Sequence, residues 1–214
     1  MRSKRRSFPG RLLVVGGQSR NVGKTALVVD LIRAVPEAKW TAVKITPYSE
    51  SGCPVAGASC RCKARKHTYV IREERDRRGA SDTSRFLAAG AVRALWVQTK
   101  EGRLADALVP LAKSLADARN VVIESNAIVR FWPQDMFILA LDPSKGDFKL
   151  SAQKVLRRAD AFVLRSPMAA GDAASRRASR LSSKPQFLQA LGKRLPVGLK
   201  RLVRQRFGAA QHHG

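Results

Sequence analysis

The segment Leu12-Leu13-Val14-Val15-Gly16-Gly17-Gln18-Ser19-Arg20-Asn21-Val22-Gly23-Lys24-Thr25, running at once into the apolar stretch 26–32, constrains this chain more than any other. It reads as strand, glycine-rich loop and helix in immediate succession. Such a loop turns backbone N–H groups inward around phosphate oxygens, and the helix N-terminus adds partial positive charge. In that arrangement Lys24 reaches the terminal phosphates and the Thr25 hydroxyl ligates Mg²⁺. The common form of the motif has four residues between its glycines; here Gly17 and Gly23 are separated by five, and Gln18 stands where the first glycine would fall. A chance Gly-Lys-Thr in a helix-capping turn would not require the strand before it and the helix after it. The expectation is therefore a site for a nucleoside triphosphate, ATP or GTP, contacted by Gly17, Asn21, Val22, Gly23, Lys24, Thr25 and Ala26. Lys24 is the first catalytic candidate.

Apolar runs of four to six residues alternate with helix-like stretches through the first two thirds of the chain, the pattern of repeated βα units and a parallel sheet. Strands are expected at 11–15, 40–45, 94–99, 120–124, 136–141 and 161–164, and covering helices at 24–34, 82–89, 104–118 and 148–158. The fold class expected is α/β: three layers around a mostly parallel sheet of about six strands, with the phosphate loop after the first.

Magnesium at such a loop needs a further carboxylate, usually at the end of another parallel strand. Glu124, which ends Val121-Val122-Ile123, is the first choice and a second catalytic candidate. Asp142, after 136–141, holds an equivalent place. For both, a solvated or turn-capping acid is the competing account.

Residues 1–165 read as the nucleotide-binding domain, with an insertion at about 47–80 that is rich in Gly, Cys, Arg and Lys. All three cysteines of the chain lie in it, as Cys53, Cys60 and Cys62, with His67 close behind. Three thiolates and an imidazole could close a tetrahedral Zn²⁺ site, and three thiolates could hold an iron–sulfur cluster. Free thiols with pKa lowered by the neighbouring Arg61, Lys63, Arg65 and Lys66 are the alternative. Residues 166–214 read as a basic extension, either a solvated tail or an arm for an acidic or phosphate-rich partner; from Arg165 onward eleven basic residues face one acid.

Overall, 41 Lys and Arg against 16 Asp and Glu give a net charge of +25, a field that draws anions without choosing among them. A basic nucleic-acid-binding protein is a further alternative that this charge allows, but two tyrosines and no recognisable binding motif leave little beyond the electrostatic attraction, and nucleic acid is not expected as a specific partner. No apolar run approaches the length of a membrane span. Few cysteines favour a reducing compartment, and a cytoplasmic location is expected. Arg5-Arg6-Ser7-Phe8 looks like a twin-arginine signal, but the apolar run after it stops within four residues at Gly16.

Several segments together resemble the MobB group, small P-loop proteins associated with molybdopterin guanine dinucleotide synthesis. They are the phosphate loop and its helix, Val43-Lys44-Ile45, the stretch Asp82-Thr83-Ser84-Arg85-Phe86-Leu87-Ala88-Ala89-Gly90-Ala91, and Val122-Ile123-Glu124, in the family's order over about residues 10–165. The family's Glu-Gly is Glu124-Ser125 here, and its short His/Asp loop is replaced by the cysteine-bearing segment. The resemblance implies a weak NTPase that works with a cofactor-synthesis protein and pairs with a second copy. The long loop is also similar to that of dethiobiotin synthetases, which use a lysine after the second strand to hold substrate and phosphate. Lys44 would be that lysine, or else simply a charge at a strand end. On that resemblance an ATP-dependent kinase or ligase is the alternative function. No Asn-Lys-x-Asp motif is present to select guanine.

Overall fold

Successive residues of the first strand, β1 (Arg11–Gly17), point to opposite sides of the sheet. Leu12 and Val14 enter one core, and Leu13 and Val15 enter the other. A strand that is apolar on both faces must be covered twice, and this is the physical origin of the three layers. In the computed structural model the residues described are 8–48, 67–167 and 183–208.

Among the described residues the sheet has eight strands in the order β3-β4-β2-β5-β1-β6-β7-β8. Besides β1 they are β2 (Thr41–Tyr48), β3 (Tyr69–Glu73), β4 (Arg93–Lys100), β5 (Asn120–Glu124), β6 (Met136–Leu141), β7 (Ala161–Leu164) and β8 (Gln186–Leu188). All neighbours run parallel except β3, which lies antiparallel to β4 at one edge. Among the described residues the α-helices are α1 (Lys24–Ala34), α2 (Asp82–Ala88), α3 (Leu104–Ser114), the short α4 (Leu150–Gln153) and α5 (Val197–Phe207). Leu104, Leu111 and Leu115 pack on one face of the sheet; Leu27, Leu31, Phe86, Val203 and Phe207 pack on the other.

The α/β class is as expected, with eight strands rather than about six. The two additional strands fall where the sequence has no apolar run of four residues or more to announce them, the longest being Tyr69-Val70-Ile71. β3 lies inside the basic insertion and ends in the exposed pair Arg72-Glu73. β8 lies in the basic extension, so within the described residues 183–208 that extension is not a solvated tail. β8 adds a strand beside β7, and α5 buries Leu199, Val203 and Phe207, the last against Trp40 at 5.1 Å between ring centroids. Phe8 is core material too, packed edge-on against Trp132. Among the described residues no helix is long and apolar enough to cross a membrane.

Register fixes what meets at the carboxyl edge. Glu124 pairs with Val15 on one side and with Lys44 on the other, so the β5 carboxylate stands between the root of the phosphate loop and the β2 lysine.

Candidate nucleotide site

From Gly17 the chain turns through residues 18–23 into α1. A Cβ on Gly17 would lie 2.5 Å from Val22 Cγ1 and 2.7 Å from Lys24 Cγ, so no side chain fits there. Gly23, at φ 84°, is the N-cap of α1 in the left-handed conformation that glycine adopts without strain. It offers no side-chain cap, and the first turn carries no acidic residue, which leaves helix-terminal amides available to an anion.

Three side chains hold this loop through main-chain groups, one from within the loop and two from distant elements. Gln18, which is buried, donates to the carbonyls of Lys145 and Asp147 at 2.9 and 3.0 Å and accepts from the Asp142 amide at 2.9 Å. The residue that replaces the usual glycine thus ties the loop to the segment after β6. Asn126, two residues past Glu124, grips both polar groups of Gly17, accepting from its N–H at 2.8 Å and donating to its carbonyl at 2.9 Å. Arg165, just past β7 and only 6% exposed, donates to the carbonyls of Val22 at 3.2 Å and Gly23 at 2.7 Å. Gln189 accepts from the same guanidinium at 3.0 Å and donates to Asp30 at 2.8 Å.

The opposite wall is ionic. Lys44 donates to Glu124 Oε1 at 2.5 Å and contacts Asp82 Oδ2 at 2.8 Å, while Thr25 Oγ1 donates to the other Glu124 oxygen at 2.8 Å. Ser81 caps α2 by accepting from the Ser84 amide, which sets Asp82 in the first turn facing Lys44. Burial pulls the Lys44 pKa down, but Glu124 and Asp82 outweigh it and hold the ammonium above its ordinary value. Lys24 moves the other way: burial, reinforced by Lys44 and Lys149, lowers it despite Glu124. Its ammonium donates to the Ser19 carbonyl at 2.9 Å.

Between the walls lies a cavity of about 370 Å³. Asn21, Gly23, Lys24, Thr25, Ala26, Lys44 and Glu124, all expected from the sequence, line it together with Arg20, Asp82 and Arg85. Val22 is buried with its methyl groups toward Gly17, and Gly17 forms the root of the loop. Asp142 is not part of this lining. Its Oδ1 accepts from the Ser144 amide and from the hydroxyls of Ser144 and Ser166, the turn-capping role that had competed with metal binding. Ser125, where the MobB pattern has glycine, accepts from the Ala127 amide at 3.1 Å and so starts the short helical turn that follows. Cys53, Cys60 and Cys62 lie outside the described residues. His67 is exposed, and among the described residues no cluster of three or more His, Cys, Asp or Glu could hold a metal, so nothing here supports a Zn²⁺ or iron–sulfur centre.

No protein-family model and no curated protein matches the sequence. Among solved structures the chain is similar to HypB from Helicobacter pylori in complex with nickel, at TM-score 0.53 and 16% identity, covering 96% of this chain and 92% of that one. It also matches LpxK from Aquifex aeolicus in complex with ATP, at TM-score 0.44 and 21% identity, over 85% of this chain; it spans about half, 54%, of that chain. A MobB homologue from Bacillus stearothermophilus matches at TM-score 0.36 and 13% identity, over 83% of this chain and 86% of that one. The last two similarities are too loose to bear weight. Together with the loop and sheet described above, the HypB likeness defines the class: the chain has the fold of the P-loop NTPases.

Proposed function

We propose that this protein binds a nucleoside triphosphate with Mg²⁺ in the cavity between the phosphate loop and α2. The observation that carries the proposal is the meeting of Thr25 Oγ1 and Glu124 Oε2 at 2.8 Å beside the open N-terminus of α1. A hydroxyl and a carboxylate from two elements form a hard oxygen donor set, which fits Mg²⁺. When bound, the ion neutralises phosphate charge and polarises the phosphoryl group. In this reading the helix-terminal amides hold the phosphates. Lys24 leaves the Ser19 carbonyl for their terminal oxygens, and the three backbone tethers keep the loop from collapsing around an empty site.

The finer role we propose is that of a weak NTPase in molybdopterin guanine dinucleotide synthesis, acting with a protein partner and as a pair of chains. Its support is the sequence resemblance. The stretch 82–91 that carries much of that resemblance forms α2 and supplies Asp82 and Arg85 to the cavity. A second reading, phosphoryl transfer to or ligation of a small acid, is favoured by that same wall, because Lys44 and Arg85 add cationic groups beyond those the phosphate loop provides.

Calorimetric titration of wild type and Lys24→Ala with ATP and GTP in Mg²⁺, at salt high enough to screen the general basic field, tests the proposal. Loss of Lys24's charged contacts should weaken binding by about 3 kcal/mol, roughly a hundredfold. Equal affinity in both proteins would refute it. Preference for GTP would support the cofactor-synthesis role, and preference for ATP the kinase or ligase.

A further inference from the structure

The three oxygens around the Lys44 ammonium form an arrangement that a salt bridge alone does not require. Nζ lies 2.5 Å from Glu124 Oε1, 2.8 Å from Asp82 Oδ2 and 3.4 Å from Thr25 Oγ1. Two of the three residues, Thr25 and Glu124, are those assigned above to the metal, and the inference rests on that assignment. Oxygens from a helix start, a strand end and a second helix converge on one point, and a cation already occupies it.

We infer that Lys44 is the resident counter-cation of the metal site: its ammonium holds the seat among Thr25, Asp82 and Glu124 and excludes a bare divalent ion until nucleotide phosphates arrive to receive it. Charge balance supplies the reason. The cavity is lined by four cationic side chains, Arg20, Lys24, Lys44 and Arg85, against two carboxylates, Asp82 and Glu124. A bare dication would add to an existing positive excess in a partly desolvated space, where like charges repel far more strongly than in water. A triphosphate reverses that balance. The displaced ammonium then has phosphate oxygens within reach of its flexible four-carbon stem, and Glu124, only 2% exposed, exchanges one cation for another without being left buried and unpaired. The metal therefore enters with the nucleotide and not before it.

The test is titration of Mn²⁺, read by electron paramagnetic resonance, into the full chain without nucleotide and then with ATP or GTP present. Wild type, Lys44→Met and Lys44→Gln are compared; the last keeps a hydrogen-bond donor in case the apolar variant folds poorly. Wild type should take up Mn²⁺ tightly only with nucleotide, and both variants should bind Mn²⁺ alone at least about tenfold more tightly than wild type, the scale on which one adjacent like charge acts. Adding Glu124→Gln to Lys44→Met should abolish the gain. Tight binding of Mn²⁺ alone to wild type overturns the inference by itself, whatever the variants do. So does equal Mn²⁺ affinity in wild type and a folded variant while wild type still binds Mn²⁺ with nucleotide; a merely structural ion pair predicts that result. Failure of wild type to bind Mn²⁺ even with nucleotide would instead remove the metal assignment of Thr25 and Glu124.

Discussion

Two helices present their N-termini to the same cavity, and they are built in opposite ways. α1 begins at a glycine, with no side-chain cap and no acid in its first turn, and the loop before it is held through backbone groups by Gln18, Asn126 and Arg165. α2 begins at Ser81, which caps it, and carries Asp82 in its first turn, paired with Lys44 and, at 3.7 Å, with Arg85. At α1 no side chain caps the helix amides, and the geometry of the loop before it is fixed by hydrogen bonds to the main chain. At α2 the helix has satisfied itself, and its wall is held by charges that can change partners. In the reading proposed above, one wall is a fixed receptor for phosphate, and the other can rearrange when charge enters.

The comparison is strained hardest by neutralising the ionic wall. Glu124→Gln keeps the shape and the contact with Thr25 but leaves Lys44 with Asp82 alone. Breaking a buried pair costs on the order of 3 kcal/mol or more. The urea midpoint should fall accordingly, and Mg²⁺-dependent nucleotide binding should be lost. If midpoint and binding were both unchanged, the ionic wall would have no role in either.

The backbone-tethered wall should respond differently. Arg165→Ala leaves the carbonyls of Val22 and Gly23 without their buried donor, at a cost of roughly 2–3 kcal/mol in stability. Because these hydrogen bonds are not an exchange of ion partners, the loss should change little between low and high salt, whereas the part of the Glu124→Gln loss carried by the more exposed Asp82 and Arg85 should shrink as salt screens them. Arg165→Lys should recover only part of it, since an ammonium cannot reproduce the planar fork that spans Val22, Gly23 and Gln189. Equal salt dependence for the two sites would erase the distinction between the walls.

What the sequence made legible follows the same division. The six expected strands are all present because each is a buried apolar run, and α1 matches its expected bounds because Gly23 and Val35 punctuate it. β3 and β8 escaped because edge strands of five and three residues need no apolar pattern on both faces. The expected helix at 104–118 stops at Ser114, whose hydroxyl donates back to the Pro110 carbonyl, and the one at 148–158 is broken into α4 and a separate turn. At the site, Lys24, Thr25 and Glu124 were readable from local context, whereas Lys44 came only from the resemblance to dethiobiotin synthetases. The tethers were not: Gln18 meets Asp142 across 124 residues of chain, and Arg165 reaches Gly23 across 142. A polar residue one or two positions past an apolar strand, as Arg165 is past Leu164 and Asn126 past Glu124, is the one local signal that would have pointed to two of them.

The mildest perturbation acts on the ionic wall from behind. Glu74 precedes α2 and accepts from the hydroxyls of Ser81 and Thr83 and from the amides of Arg75 and Asp76. Burial pushes its carboxyl upward, but the Asp76 amide and the hydroxyls of Ser81, Thr83 and Ser84 outweigh it and bring the pKa down to about 2 from 4.5. A carboxylate depressed on folding contributes stability that is fully present above its unfolded value, and that contribution is lost as pH falls through the folded one. Between pH 4.5 and about 2, then, the cap of α2 should loosen while the tethers of the phosphate loop, none of which titrates as a carboxylate, stay in place. Hydrogen exchange followed from pH 6 down to pH 3 should show Ser84 and Arg85 amides losing protection ahead of Leu27 and Val28, after correction for intrinsic rates. In Glu74→Gln that difference should be small at every pH. If both helix starts lost protection together in wild type, the two walls would be one cooperative unit, and the contrast between a fixed and an exchangeable side of the cavity would fail.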